Sequence, residues 1–104
     1  MTVAAQVDLV EVLRAARALL ARPGNDFAWS SWEDAGAAGQ EVDRLIAAVE
    51  SGSLPPRLYV AVLFAPTGPM QEVSLSSGWG DEFIALSAQF DRAEERAYGR
   101  AAAG

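Results

Sequence analysis

Apolar residues recur at helical spacing toward both ends of the chain, and in unbroken or alternating runs in its middle. Over residues 2–21, Leu9, Val12, Leu13, Ala16, Leu19 and Leu20 share one stripe, with Asp8, Glu11, Arg14 and Arg17 mostly off it. That is the 3.6-residue period of an amphipathic helix. Thr2 suits its N-cap, Arg22 the negative end of its dipole, and Pro23-Gly24 its stop. Residues 23–31 open with turn formers and then alternate Phe27 and Trp29, as a short edge strand over residues 26–30 would. Ser30 with Glu33, or Ser31 with Asp34, forms a capping box, so a second helix is expected to begin near Trp32. Its stripe runs through Trp32, Ala35, Ala38 or Gly39, Val42, Leu45, Ile46 and Val49 to the Ser51-Gly52-Ser53 stop.

After Leu54-Pro55-Pro56 the pattern reads as extended. Residues 58–65 are apolar on both faces and β-rich, and residues 71–76 set Val73 and Leu75 against Glu72, Ser74 and Ser76. Pro66-Thr67-Gly68-Pro69 lies between them as a tight connection, which predicts an antiparallel hairpin. From about Asp81 the helical period returns with Trp79, Phe83, Leu86, Phe90, Ala93 and Ala97. Asp81 and Glu82 sit at its positive end, Arg92, Arg96 and Arg100 in its last turns, and Gly99 after it. The expected fold is a single α+β domain spanning residues 1–104, in the order α-α-β-β-α. Its helices form one layer on a small antiparallel sheet, and residues 1–2 and 100–104 are expected to fray.

Composition narrows the chemistry more than it identifies it. Of the 104 residues none is Cys or His, and all 8 basic residues are Arg. The usual zinc, copper and non-haem iron ligand sets are missing, along with cysteine and Schiff-base lysine nucleophiles, Ser-His-Asp arrangements and the P-loop lysine. No cofactor and no metal are expected. Abundant Arg, Ala and Gly without Lys is the mark of a coding bias more than of a need for guanidinium. A net charge of −6 disfavours nonspecific binding to nucleic acid, which requires a basic patch. The longest strongly apolar run, residues 58–65, is far short of the roughly 18–20 residues that span a bilayer. The N-terminus lacks the basic start of a signal peptide. A cytoplasmic protein with no membrane partner is the expectation.

Three groups of residues are the candidates for function. Gly78-Trp79-Gly80 resembles a phosphate-cradling turn, but Asp81 and Glu82 follow where an anion would sit, so an ordinary turn before a helix explains it better. Glu33-Asp34 and Asp81-Glu82 open two predicted helices. Brought together with Ser77 they would suit a small enzyme or small-molecule binder, whereas capping explains each pair separately. Trp29, Trp32 and Trp79 are the side chains best suited to a binding surface. Trp32 and Trp79 also lie on core stripes, which leaves Trp29 the freest of the three.

By elimination the favoured function is a noncatalytic bacterial-type accessory protein that binds another protein, an acidic inhibitor- or immunity-type protein being one version. The run at residues 58–65, too apolar for a two-stranded sheet to cover, adds the expectation of a homodimer through a sheet face carrying Tyr59, Ala61 and Leu63, or through the exposed sheet edge.

Overall fold

The computed structural model describes residues 1–99, and no residue among them is in a strand. Five helices follow one another: α1 Val3–Leu20, α2 Ala35–Glu50, α3 Arg57–Phe64, α4 Pro69–Ser77 and α5 Gly80–Tyr98. The expected α+β fold with an antiparallel sheet is thereby corrected to an all-helical one. Of the two predicted strands, residues 58–65 lie in α3 up to Phe64 and residues 71–76 lie in α4, while residues 26–30 form turns instead of an edge strand. Residues 100–104, expected to fray, and Arg100 with them, lie outside the described residues.

The three long helices form where the apolar period predicted them. In α1 the stripe Leu9, Val12, Leu13, Ala16, Leu19 and Leu20 is buried, and Thr2 is the N-cap, its hydroxyl accepting the Ala5 N–H at 3.1 Å. α1 lies between α2 and α5 and packs on both. Gln6 donates to the carbonyls of Val49 and Glu50 at 2.8 and 2.9 Å, and Arg17 pairs with Asp43 at 3.1 Å, so α1 and α2 run antiparallel. Asp8 pairs with Arg96, and Arg22 with Glu82, which sets α5 antiparallel to α1 on the other side. Exposed ion pairs of this kind contribute at most about 1 kcal/mol each, so they fix register more than they hold the fold. Its stability comes from the buried stripes, where each fully buried Leu, Val or Phe is worth roughly 1.5–3 kcal/mol.

α2 starts later than expected. Neither serine forms a capping box; Asp34 is the N-cap, its carboxylate accepting the Ala37 N–H at 2.8 Å. Trp32 thus precedes the helix, yet it is buried all the same.

The misread middle has identifiable causes. An apolar run of eight residues fits a buried strand or a helix equally well, and β-propensity yields to tertiary contacts. As a helix, α3 buries Val60, Leu63 and Phe64 at i, i+3, i+4 spacing. Phe64 anchors it to α5, stacking on Phe90 at 4.2 Å and Phe83 at 6.5 Å between ring centroids. Pro66 ends α3 by forcing Ala65 into the extended region, φ −67° and ψ 152°. α4 begins with Pro69 at its first position, buries Met70, Val73 and Ser74, and ends at Gly78 in the left-handed conformation, φ 83°. The Pro66-Thr67-Gly68-Pro69 segment is therefore a helix-to-helix corner. Thr67 has φ 59°, and its N–H is held by the Gln71 side chain. Gly68 lies so close to α3 that an added Cβ would stand 2.5 Å from the Val62 carbonyl oxygen.

Candidate functional site

The helical register of α3 decides what the surface offers. With Val60, Leu63 and Phe64 facing inward, Leu58, Tyr59 and Val62 face outward, 72%, 62% and 46% exposed. Beside them, between α3 and the C-terminal half of α2, runs a groove of about 490 Å³. One wall is Glu41, Arg44, Leu45 and Ala48, which share a stripe of α2 at i, i+3, i+4, i+7. The other wall is Pro55, Pro56, Tyr59 and Val62.

Both walls are held firmly from behind. Glu41 Oε2 accepts the Trp32 indole N–H at 2.8 Å, which fixes the carboxylate at the groove's edge. The Tyr98 hydroxyl donates to the Pro55 carbonyl at 2.6 Å, while Arg57 lies 5.6 Å from the Tyr98 ring centroid and pairs with Glu94 at 3.3 Å. Burial, and then the nearby Glu94 carboxylate, push the Tyr98 phenol above its ordinary range, so it stays a donor further into alkaline pH than a solvated tyrosine would. Arg44, exposed at the groove, forms no ion pair among the described residues.

The residues singled out from the sequence go to different places. Trp32 and Trp79 are buried, and each donates one indole hydrogen bond, Trp32 to Glu41 and Trp79 to Asn25 Oδ1 at 2.8 Å. Trp29 is 75% exposed in the connection between α1 and α2. Glu33 is exposed ahead of α2, and Asp34 caps that helix. Asp81 and Glu82 line a shallow hollow at the start of α5 with Gly78, Trp79 and Gly80. Glu82 is tied to Arg22 at 2.5 Å, and that hydrogen bond holds its carboxyl below the ordinary range. Ser77 accepts the Asp26 N–H at 2.9 Å. Glu33 and Asp34 take no part in lining that hollow. Among the described residues no three Asp or Glu gather to hold a metal ion.

The proposed self-association set divides. Tyr59 is exposed, Ala61 is half-buried and Leu63 is 1% exposed in the core, so the three do not form a face. Their i, i+2, i+4 spacing lines up only on a strand, and the sheet face and sheet edge invoked for a dimer disappear with the sheet.

Comparison with protein families, with characterised proteins and with solved structures finds no match. The functional reading therefore rests on the residues themselves. Leu58, Val62, Glu41 and Arg44 were not among the sequence candidates. The α2 wall was visible as an i, i+3, i+4, i+7 set, but the α3 wall emerges only once residues 57–64 are helical.

No helix among the described residues is long and apolar enough to cross a membrane.

Proposed function

We propose that this chain is a small noncatalytic protein-binding module, and that its contact surface is the outer face of α3 with the adjoining α2–α3 groove. The observation that carries this reading is the exposure of Leu58, Tyr59 and Val62 side by side along an apolar groove. Single exposed apolar residues are ordinary, but a contiguous apolar patch with a polar rim marks an interaction surface. Aromatic anchors such as Tyr59 contribute heavily to such contacts. The groove's polar groups, one carboxylate and one guanidinium, suit a rim that orients a partner better than a catalytic pair.

The carboxylate-based enzyme reading has less support. It called for two of Glu33, Asp34, Asp81 and Glu82, with Ser77, to converge on a deep pocket, whereas the hollow lined by Asp81 and Glu82 is shallow, Glu82 is paired with Arg22 and Asp34 caps α2. A cytoplasmic setting accompanies the proposal and is checked by fractionation.

Site-specific photo-crosslinking in the cell of origin tests the reading. A benzophenone amino acid at position 59 or 62 is expected to form a discrete protein adduct, and the same group at Ala88, exposed on α5, is not. The absence of any adduct at 59 and 62, or equal yields at all three positions, would overturn it.

A further inference from the structure

We infer that the protein seated on the α2–α3 groove is a second copy of this chain, related to the first by a two-fold axis. This inference rests on the reading of the groove as a protein-binding surface and adds the identity of the occupant. Three observations favour a copy over a different protein.

The patch carries both halves of a contact. Tyr59 and Val62 line the groove and also stand exposed beside Leu58 on the same helix. A two-fold interface uses one patch on both molecules, so it requires projection and recess to occur together.

The charges of the rim are self-complementary. Glu41 and Arg44 stand one helical turn apart on α2 and are the two charged residues that line the groove. A two-fold axis crossing α2 between them reverses the helix direction in the copy. It sets Arg44 of each molecule opposite Glu41 of the other, satisfying a guanidinium that has no ion pair among the described residues. The Trp32 bond takes only one oxygen of Glu41, leaving the other for Arg44 of the copy.

Net charge points the same way. Glu41 and Arg44 cancel, so the whole net charge of −6 lies outside the groove. Two copies of an acidic chain repel each other over most of their surfaces and approach most easily where that charge vanishes. A strongly basic partner would instead be drawn to the acidic remainder.

Sedimentation equilibrium across micromolar concentrations tests the inference. The expected mass rises toward twice the 11.0 kDa of the chain. Arg44→Glu and Glu41→Arg are each expected to weaken association about tenfold or more, because each puts like charges face to face. An equimolar mixture of the two variants restores it, since the first then presents two carboxylates at the rim and the second two guanidiniums. Tyr59→Glu, whose side chain is exposed in the monomer, supplies a second disrupting variant if Glu41→Arg fails to fold by circular dichroism; it is expected to hold the mass near that of one chain. A wild-type mass of one chain at every concentration, unweakened association in Arg44→Glu and Tyr59→Glu, or two folded charge variants that do not recover on mixing would overturn the inference. A monomer whose crosslinks at positions 59 and 62 all go to another protein removes the second copy and leaves the docking surface. Absence of all crosslinks removes both.

Discussion

The Trp79 indole N–H donates to Asn25 Oδ1 at 2.8 Å, joining the α4–α5 corner to the end of α1 across 54 positions of sequence. The Asn25 amide in turn donates to the carbonyls of Leu19 and Leu20 at 2.8 and 3.1 Å, at the end of α1 where i+4 partners run out and Leu19 otherwise accepts only a long 3.3 Å bond from the Arg22 N–H. One side chain thus caps a helix and satisfies a buried tryptophan. Asn25→Ala is expected to cost about 1–3 kcal/mol, chiefly because it orphans the buried indole N–H. Urea denaturation measures this. In a Trp79→Phe background, which lacks that donor, the further loss should be smaller; equal losses in the two backgrounds would show that the bond contributes nothing.

Gly68 is needed for space at the α3–α4 corner. An added Cβ would stand 2.5 Å from the Val62 carbonyl oxygen and 2.9 Å from that of Ala65, both backbone atoms that cannot swing aside. Gly68→Ala is expected to destabilise by about 1–3 kcal/mol. At Gly80 the nearest atom to an added Cβ is a Leu75 methyl at 3.6 Å, ordinary contact distance, so Gly80→Ala should be close to neutral. The two thermal midpoints, compared side by side, check this.

Glu82 links stability to acid. Its hydrogen bond to Arg22 lowers its carboxyl pKa in the folded chain, so the unfolded chain takes up a proton first as pH falls. The stabilisation is complete above the unfolded-state value and is lost as pH drops through the folded-state one. Glu82→Gln should flatten that part of the acid limb of stability against pH. Both partners are exposed, so added salt should shrink the difference between variant and parent.

Tyr98 acts at the opposite end of the pH scale. Burial raises its phenol pKa, so the folded chain keeps that proton after the unfolded chain has lost it. Its contribution is intact below the unfolded-state value near 10 and declines as pH rises through the folded-state one. In a Tyr59→Phe background, where Tyr98 alone reports, absorbance at the phenolate band should rise above pH 10 and move down to the ordinary range when urea unfolds the chain. Titration at the ordinary value in the folded protein would contradict the burial of the Tyr98 phenol beside Glu94.

How much of this was legible in the sequence depended on segment length. In α1, α2 and α5 the apolar period repeats over four or more turns, and few other structures bury Leu9, Leu13, Leu20 or Phe83, Leu86, Phe90 together. The middle segments are too short for the period to speak. Tyr59, Val60 and Val62 favour strands, and that preference is overridden by the docking of Phe64 between α3 and α5. Pro69 at the start of α4 and Gly78 at its end were helix signals, but next to Pro66-Thr67-Gly68 the first reads equally well as part of a hairpin turn. Tyr59 was picked out for a sheet face that does not exist. Its exposure on α3, along with Leu58 and Val62, follows from the helical register, which the sequence left ambiguous.

The groove and the proposed interface both follow from the helical register of α3. A NOESY spectrum of the isotope-labelled chain tests it directly. Hα–Hβ contacts from i to i+3 are expected throughout residues 57–64, with the Phe64 ring close to Phe83 and Phe90 of α5 and with Tyr59 and Val62 free of the intramolecular core. Cross-strand Hα–Hα contacts between residues 58–65 and 71–76 would contradict it.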